Sequence, residues 1–169
     1  MRKNKFIAIE GLDGSGKSTQ IDLLTHHFHA EGIDTRFVHF PRLHEGFFGE
    51  MISSFLRGEF GSAGEVHPKL VSLMFAEDRN DFAPQIREWM EQGIVVIVDR
   101  YVNSNLAFQC AKLKTDEEKN TLRNWILHLE YSYFKIPRPD FSMYLDVPFS
   151  FTEKALTRRL EEAHRNYLN

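Results

Sequence analysis

The sequence predicts an α/β protein built on a parallel β-sheet with helices on both faces. Three observations carry this. Short apolar segments alternate with longer amphipathic ones along the chain. Ile94-Val-Val-Ile-Val98 is a continuous β-branched run, the pattern of a strand covered on both faces of its sheet. With 169 residues, 42% hydrophobic and 27% charged, the chain has the size and composition of one globular domain with a real core.

The elements follow in order. Lys5-Phe-Ile-Ala-Ile9 reads as a buried strand, followed by a glycine-rich turn and a helix from about Lys17 to Glu31 that Gly32 stops. Arg36-Phe-Val-His-Phe40 is a second strand, ended by Pro41. Phe47 to Leu56 is a short helix, and Gly58 to Pro68 a loop with three glycines. Pro68 suits a first helical turn, and its helix should run to about Phe82, where Pro84 forces a break or kink before Gln85–Glu91. Ile94–Val98 is the third strand and Asn103–Leu113 the next helix. Thr115-Asp-Glu-Glu118 is a capping box, and Leu122, Trp125, Ile126, Leu129 and Tyr133 behind it form one helical stripe. Phe141–Val147 is a fourth strand. Ser150-Phe-Thr-Glu153 is a second capping box, opening a helix that runs to the end. Right-handed crossovers bring the carboxyl ends of all the strands to one edge, where such sheets bind their ligands.

Composition narrows the function. A net charge of −3 argues against a broad polyanion-binding surface, so no nucleic acid polymer is expected. The longest apolar run, Ile94–Val98, is too short to span a bilayer, and Phe6–Ile9 is too short for a secretory segment. The single cysteine, Cys110, fits a reducing compartment, so a cytoplasmic location is expected. His26, His27 and His29 lack the carboxylate or cysteine pattern of a metal site and read as a solvated helix face.

Gly11-Leu12-Asp13-Gly14-Ser15-Gly16-Lys17-Ser18, followed by Thr19, matches G-x-x-x-x-G-K-[ST] between a strand and a helix. Glycines let backbone N–H groups converge on phosphate oxygens, and the helix N-terminus adds partial positive charge. Lys17 should reach the β and γ phosphate oxygens of a nucleotide and the Ser18 hydroxyl should ligate Mg²⁺; the motif alone leaves GTPase, ATPase and kinase open. Asp99, closing the third strand, can hold the Mg²⁺ shell from the opposite side, and Arg100 is aimed at phosphoryl oxygens. Arg42 follows the second strand and lands on the same edge, either at a phosphate or as a solvated loop arginine. Lys17, Arg42 and Arg100 thus converge from three strand ends, where two phosphate-bearing ligands meet. Phe75 and Arg79, spaced i, i+4, share a helical face that can stack a base and bond its carbonyl; a core phenylalanine with a surface Arg79–Asp78 or Arg79–Glu77 pair is the other reading.

Phe6-Ile-Ala-Ile-Glu-Gly-Leu-Asp-Gly-Ser-Gly-Lys-Ser-Thr19, Phe40-Pro-Arg42, Met74-Phe-Ala-Glu-Asp-Arg79, Asp99-Arg-Tyr-Val-Asn-Ser-Asn105 and Pro139-Asp-Phe-Ser-Met-Tyr-Leu-Asp-Val-Pro148 resemble, in order, the thymidylate kinases, P-loop nucleoside monophosphate kinases. The resemblance implies a single kinase domain over 1–169, the P-loop NTPase fold, and transfer of the γ-phosphoryl group of Mg-ATP to dTMP. It implies that Asp13 contacts the sugar 3′-hydroxyl and the metal–phosphate region, and that Arg42 and Arg100 bind the 5′-phosphate. Phe75 would stack on thymine, Arg79 would bond its O4, and Ser104 and Asn105 would read the base edge. Phe108 stands where relatives often carry tyrosine near the sugar 2′ position. Gly14 stands where some relatives carry arginine, so the resemblance looks for a cation in a lid beginning about 150–169: Arg158, Arg159 or Arg165. It also implies a homodimer, and a further strand and helix beyond Asn169. Without them the sheet edge is expected to be uncovered and the chain catalytically weak. A deoxynucleoside kinase and a non-catalytic nucleotide-binding fragment are the alternatives.

Overall fold

In the computed structural model, residues 5–62 and 64–167 are described, with the side chains of 159–167 outside the description; Arg159 and Arg165 therefore fall outside it. Four strands, β1 (Phe6–Gly11), β2 (Thr35–His39), β3 (Val95–Asp99) and β4 (Phe141–Leu145), form one sheet in the order β2-β3-β1-β4. Every pairing is parallel, with Ile9 opposite Asp99 and His39 opposite Asp99 at the carboxyl edge.

The period-2 alternation of strand side chains sorts the core into two layers. Phe6, Ala8, Val96 and Val98 face one side with Phe40, Ala83, Ile86, Leu122 and Ile126. Ile7, Ile9, Val95 and Ile97 face the other, where α1 (Lys17–Ala30) brings Ile21, Leu24 and Phe28. The first layer is covered by α3 (Pro68–Glu91), α4 (Val102–Cys110) and α5 (Asp116–His128). α2 (Gly46–Leu56) packs so closely on the turn before it that a Cβ at Gly49 would run into the Arg42 carbonyl. The edge strand β4 leaves Phe141, Met143 and Tyr144 more than half exposed.

Three local expectations change. Pro84 does not interrupt its helix: α3 is one element of 24 residues. The missing N–H removes the bond to the Asn80 carbonyl, but Ala83 and Ile86, both buried, hold the segment against the sheet. Ser150 is not a helix cap, because α6 (Phe149–Tyr167) already includes it. Its neighbour Thr152 is buried and donates its hydroxyl to the Phe149 carbonyl at 2.7 Å. The Thr115–Glu118 capping box does form. The stripe behind it ends early, since α5 passes into a π-helical turn at Leu129–Tyr133. Glu130 stays on the buried face of Leu122 and Ile126, while the wider turn shifts the helical phase beyond it and leaves Tyr133 73% exposed.

Candidate functional site

The chain leaves β1 through Gly14 and Gly16 at φ +79° and +92°, conformations that glycine adopts without Cβ strain. The space in front of Gly16 is open. Lys17 folds back across this turn, donating from Nζ to the carbonyls of Gly11 (3.2 Å) and Leu12 (3.0 Å). Burial and the nearby Arg100 charge lower its pKa, against the raising pull of Asp99, Asp13 and Glu10. Asp13, Gly14, Gly16, Lys17, Ser18, His39, Asp99 and Arg100 line a cavity of ≈ 220 Å³. α6 lies close against the loop: a Cβ on Gly14 would meet the Thr152 carbonyl at 3.0 Å.

The residues here fit a divalent cation bound with phosphate. Asp99 is buried, and its Oδ1 has no hydrogen-bond partner although Lys17 Nζ lies 3.9 Å away. Its Oδ2 is 3.1 Å from His39 Nδ1. The Ser18 hydroxyl group belongs to the first turn of α1 and lines the same cavity.

Arg100 sits at φ +67°, uncommon for a residue with a side chain. That turn at the end of β3 sends the guanidinium toward the glycine loop. It pairs with Asp13 at 2.6 Å and donates to the Ser104 hydroxyl at 3.1 Å. Ser104 in turn donates to Glu10 at 2.5 Å, and Glu10 also accepts from the Tyr101 N–H at 3.1 Å. Ser104 is therefore held by Arg100 and Glu10, and this network ties β1 to β3 and α4.

A second cavity, ≈ 340 Å³, adjoins the first. Asp13 and Arg100 line both. Its walls include Phe75 and Phe108, and the Arg100 guanidinium lies 5.3 Å from the Phe108 ring centre. Its floor carries Arg79 and Asn105, 2% and 3% exposed. Arg79 pairs neither with Asp78 nor with Glu77 at the surface. Nε and Nη2 clasp the wholly buried Glu130 at 2.6 and 2.7 Å. Burial alone would lower the Arg79 pKa, and the Glu130 carboxylate more than offsets this, so it is raised. Asn105 donates from Nδ2 to Glu130 Oε1 (3.0 Å) and to the Ser72 carbonyl (3.1 Å).

Arg42 stands on the same edge but faces a third cavity, ≈ 430 Å³, with His39, Phe82 and Trp89. It is not a solvated loop arginine. Its Nε bonds Asp78 at 2.9 Å, Nη2 bonds Asp81 at 2.7 Å, and the Phe82 ring packs under it. Burial raises the Asp78 pKa in spite of Arg42. Of the three expected cations, Lys17 and Arg100 share one cavity, whereas Arg42 lines the third and neither of the first two. Arg158 is exposed on α6.

Comparison with known proteins bears directly on this arrangement. The family model described as thymidylate kinase matches residues 9–168. The chain belongs to the thymidylate kinase family. It is 31% identical to the thymidylate kinase of Plasmodium falciparum over 152 residues, covering 90% of this chain and 66% of that protein. It is 33% identical to the thymidylate kinase of Mycobacterium tuberculosis over 142 residues, covering 83% and 65%. A solved thymidylate kinase from Candida albicans, described as having broad substrate specificity and a novel structural element, superposes with a TM-score of 0.71 at 28% identity, covering 89% of this chain and 66% of that one. The chain thus spans about two thirds of the length of these thymidylate kinases.

Sequence reasoning missed three of the residues that organise the site. Glu10 is a carboxylate ending an apolar strand. His39 is the last residue of a strand, in register with Asp99. Glu130 follows Leu122 and Ile126 at steps of four on a buried face. Glu10 and Glu130 are each visible in the sequence as a carboxylate at an apolar position; His39 is exposed on β2 and carries no such signal.

Proposed function

We propose that the protein transfers the γ-phosphoryl group of ATP to dTMP, giving dTDP and ADP. The observation that carries this reading is the junction of the two cavities. A glycine-loop cradle for a polyphosphate and an aromatic-walled pocket for a base meet at Asp13 and Arg100. Donor and acceptor phosphates brought from opposite sides face each other there. Family membership supports the acceptor class.

The attacking group is an oxygen of the acceptor phosphate, already anionic, so no general base is needed. Catalysis is positioning and charge stabilisation. Lys17 and the loop amides hold the donor phosphates. Arg100 spans the junction and neutralises oxygens from both ligands. Ser18 and Asp99 would hold Mg²⁺, which when bound neutralises phosphate oxygens. Phe75 stacks on the base, Arg79 and Asn105 read its edge, and Phe108 flanks the sugar. Asp13, paired with Arg100, contacts the sugar side of the junction. Arg42 supports the 5′-phosphate side from its anchor on Asp78. α6 acts as a lid over the glycine loop, with Arg158 or Arg159 supplying a further cation. Water exclusion by that lid limits wasteful hydrolysis. The enzyme acts in the cytoplasm as a homodimer.

A deoxynucleoside kinase would need a carboxylate poised as base for a 5′-hydroxyl. Glu10 is buried and its two oxygens are engaged by the Tyr101 N–H and Ser104 hydroxyl, which favours the monophosphate. The test is ADP release from ATP with dTMP and with thymidine as acceptors. Release with dTMP is expected; release with thymidine alone contradicts the reading, and ATP binding without release under either acceptor supports a non-catalytic nucleotide-binding module.

A further inference from the structure

The floor of the aromatic-walled cavity is built so that its polarity runs one way. Glu130 reaches it through the π-helical turn and is fully buried. Its Oε2 accepts from Arg79 Nε; its Oε1 accepts from Arg79 Nη2 and also from Asn105 Nδ2. The second partner of Asn105 Nδ2 is the Ser72 carbonyl. A carboxylate and a carbonyl only accept. Turning the Asn105 amide over would set its oxygen against two acceptors inside a low-dielectric pocket, with no donor between them. The amide is therefore held with Nδ2 toward Glu130 and Ser72 and Oδ1 turned away from both. Asn105 lines the cavity, and its buried Oδ1 has no hydrogen-bond partner among the described residues. The Nη1 group of Arg79 takes no part in the carboxylate pair.

We propose that Glu130 is the positioning residue that fixes which base edge the pocket accepts: it holds Asn105 as an acceptor and Arg79 as a donor, so that a base edge reading carbonyl then N–H is bound and one reading amino then bare nitrogen is rejected. This rests on the reading that the cavity takes the base of a nucleoside monophosphate. It deepens that reading by assigning selectivity to a residue beneath the two that touch the base. Thymine and uracil present O4 and N3–H. Cytosine presents an amino group, which would point donors at Arg79, and an N3 lone pair, which would oppose Asn105 Oδ1. A site with buried polar groups left unpaired by the wrong ligand discriminates far more strongly than an apolar pocket does.

The test compares dTMP with 5-methyl-dCMP, which differ only along that edge, by calorimetric binding to the unmodified chain and to Glu130→Gln. A Gln at 130 keeps one acceptor oxygen and adds an N–H₂ that can face Asn105, so the Asn105 amide loses its single orientation. The unmodified chain should prefer dTMP by at least about 100-fold, given the penalty for unpaired groups. In the folded variant that ratio should fall by about tenfold or more, through weaker dTMP binding and stronger 5-methyl-dCMP binding; a purely structural role would weaken both alike. An unchanged ratio in a folded variant, or no preference in the unmodified chain, overturns the assignment of Glu130 while leaving the monophosphate reading in place. Binding of neither nucleotide overturns both. Because Glu130→Gln leaves Arg79 half-paired and can fail to fold, a second measurement uses the unmodified chain alone. Two buried acceptors predict that the Asn105 side-chain amide protons exchange at least about 100-fold more slowly than those of the exposed Asn103. Exchange at the Asn103 rate overturns the proposal.

Discussion

The two ends of the cleft hold their arginines in opposite ways. Arg100 is paired with Asp13, a residue 69% exposed in its side chain, at the mouth of the glycine loop. Arg79 is clasped by a carboxylate with no exposure at all, at the bottom of the aromatic pocket. A phosphate is a large, symmetric charge; it is held by whatever cations and amides reach it, and a water-accessible partner such as Asp13 can yield. A base is nearly neutral and is told apart only by the order of its donors and acceptors. Reading that order needs groups that do not turn. Under the proposed function, the difference teaches that the glycine-loop end suits exchange of partners and the aromatic end fixed polarity.

The sharpest way to break this comparison is to unpair each arginine in turn. Arg79→Met leaves Glu130 buried and uncompensated and should cost about 3–5 kcal/mol of folding stability, read by denaturant unfolding. Lys17→Met should leave the melting temperature close to that of the unmodified chain and lower phosphoryl transfer by about 10²–10³-fold, as the loss of one well-placed charge-stabilising donor does. Arg100→Gly should behave like the lysine variant and unlike Arg79→Met. Release of the backbone from φ +67° returns about 1–2 kcal/mol, offsetting the lost Asp13 and Ser104 bonds, so dTMP binding weakens with little change in unfolding. An Arg100→Gly variant as destabilised as Arg79→Met would erase the distinction.

The smallest effect concerns pH. Burial pushes the Tyr131 hydroxyl up to about 12, with Glu130 adding to the shift. Tyr101, at the same buried layer, is raised by burial as well. Both phenols hold their protons longer folded than unfolded. Their stabilising effect is thus complete below the ordinary tyrosine value near 10 and is lost as pH rises toward 12. Unfolding measured from pH 9 upward should show stability falling through that window.

The same contrast governs how much was legible in the sequence. The phosphate cradle is contiguous: Gly11 to Ser18 lie between one strand and one helix, and the chemistry needs no distant partner to be recognised. The sheet was equally readable, because the β-branched run of β3 and the apolar β1 allow few other environments. The base end was legible only in outline. Phe75, Arg79 and Asn105 could be named, but Glu130, at steps of four behind Leu122 and Ile126, acquires its two partners only from the packing of α3 and α4 against it. His39 and Glu10 acquire their roles only from register across the sheet. Pro84 shows the converse: a strong local signal for a break was overridden by burial of the residues beside it.

The central claim is that one sheet edge seats a polyphosphate donor and a thymidine monophosphate acceptor head to head across Asp13 and Arg100. It is tested most directly by transfer of label from γ-labelled ATP, with dTMP, dUMP, dCMP and thymidine offered separately to the 169-residue chain. The account predicts label in the diphosphate of dTMP, less in that of dUMP, least in that of dCMP, and none in thymidine. Label in thymidine, or equal label across the three monophosphates, contradicts it.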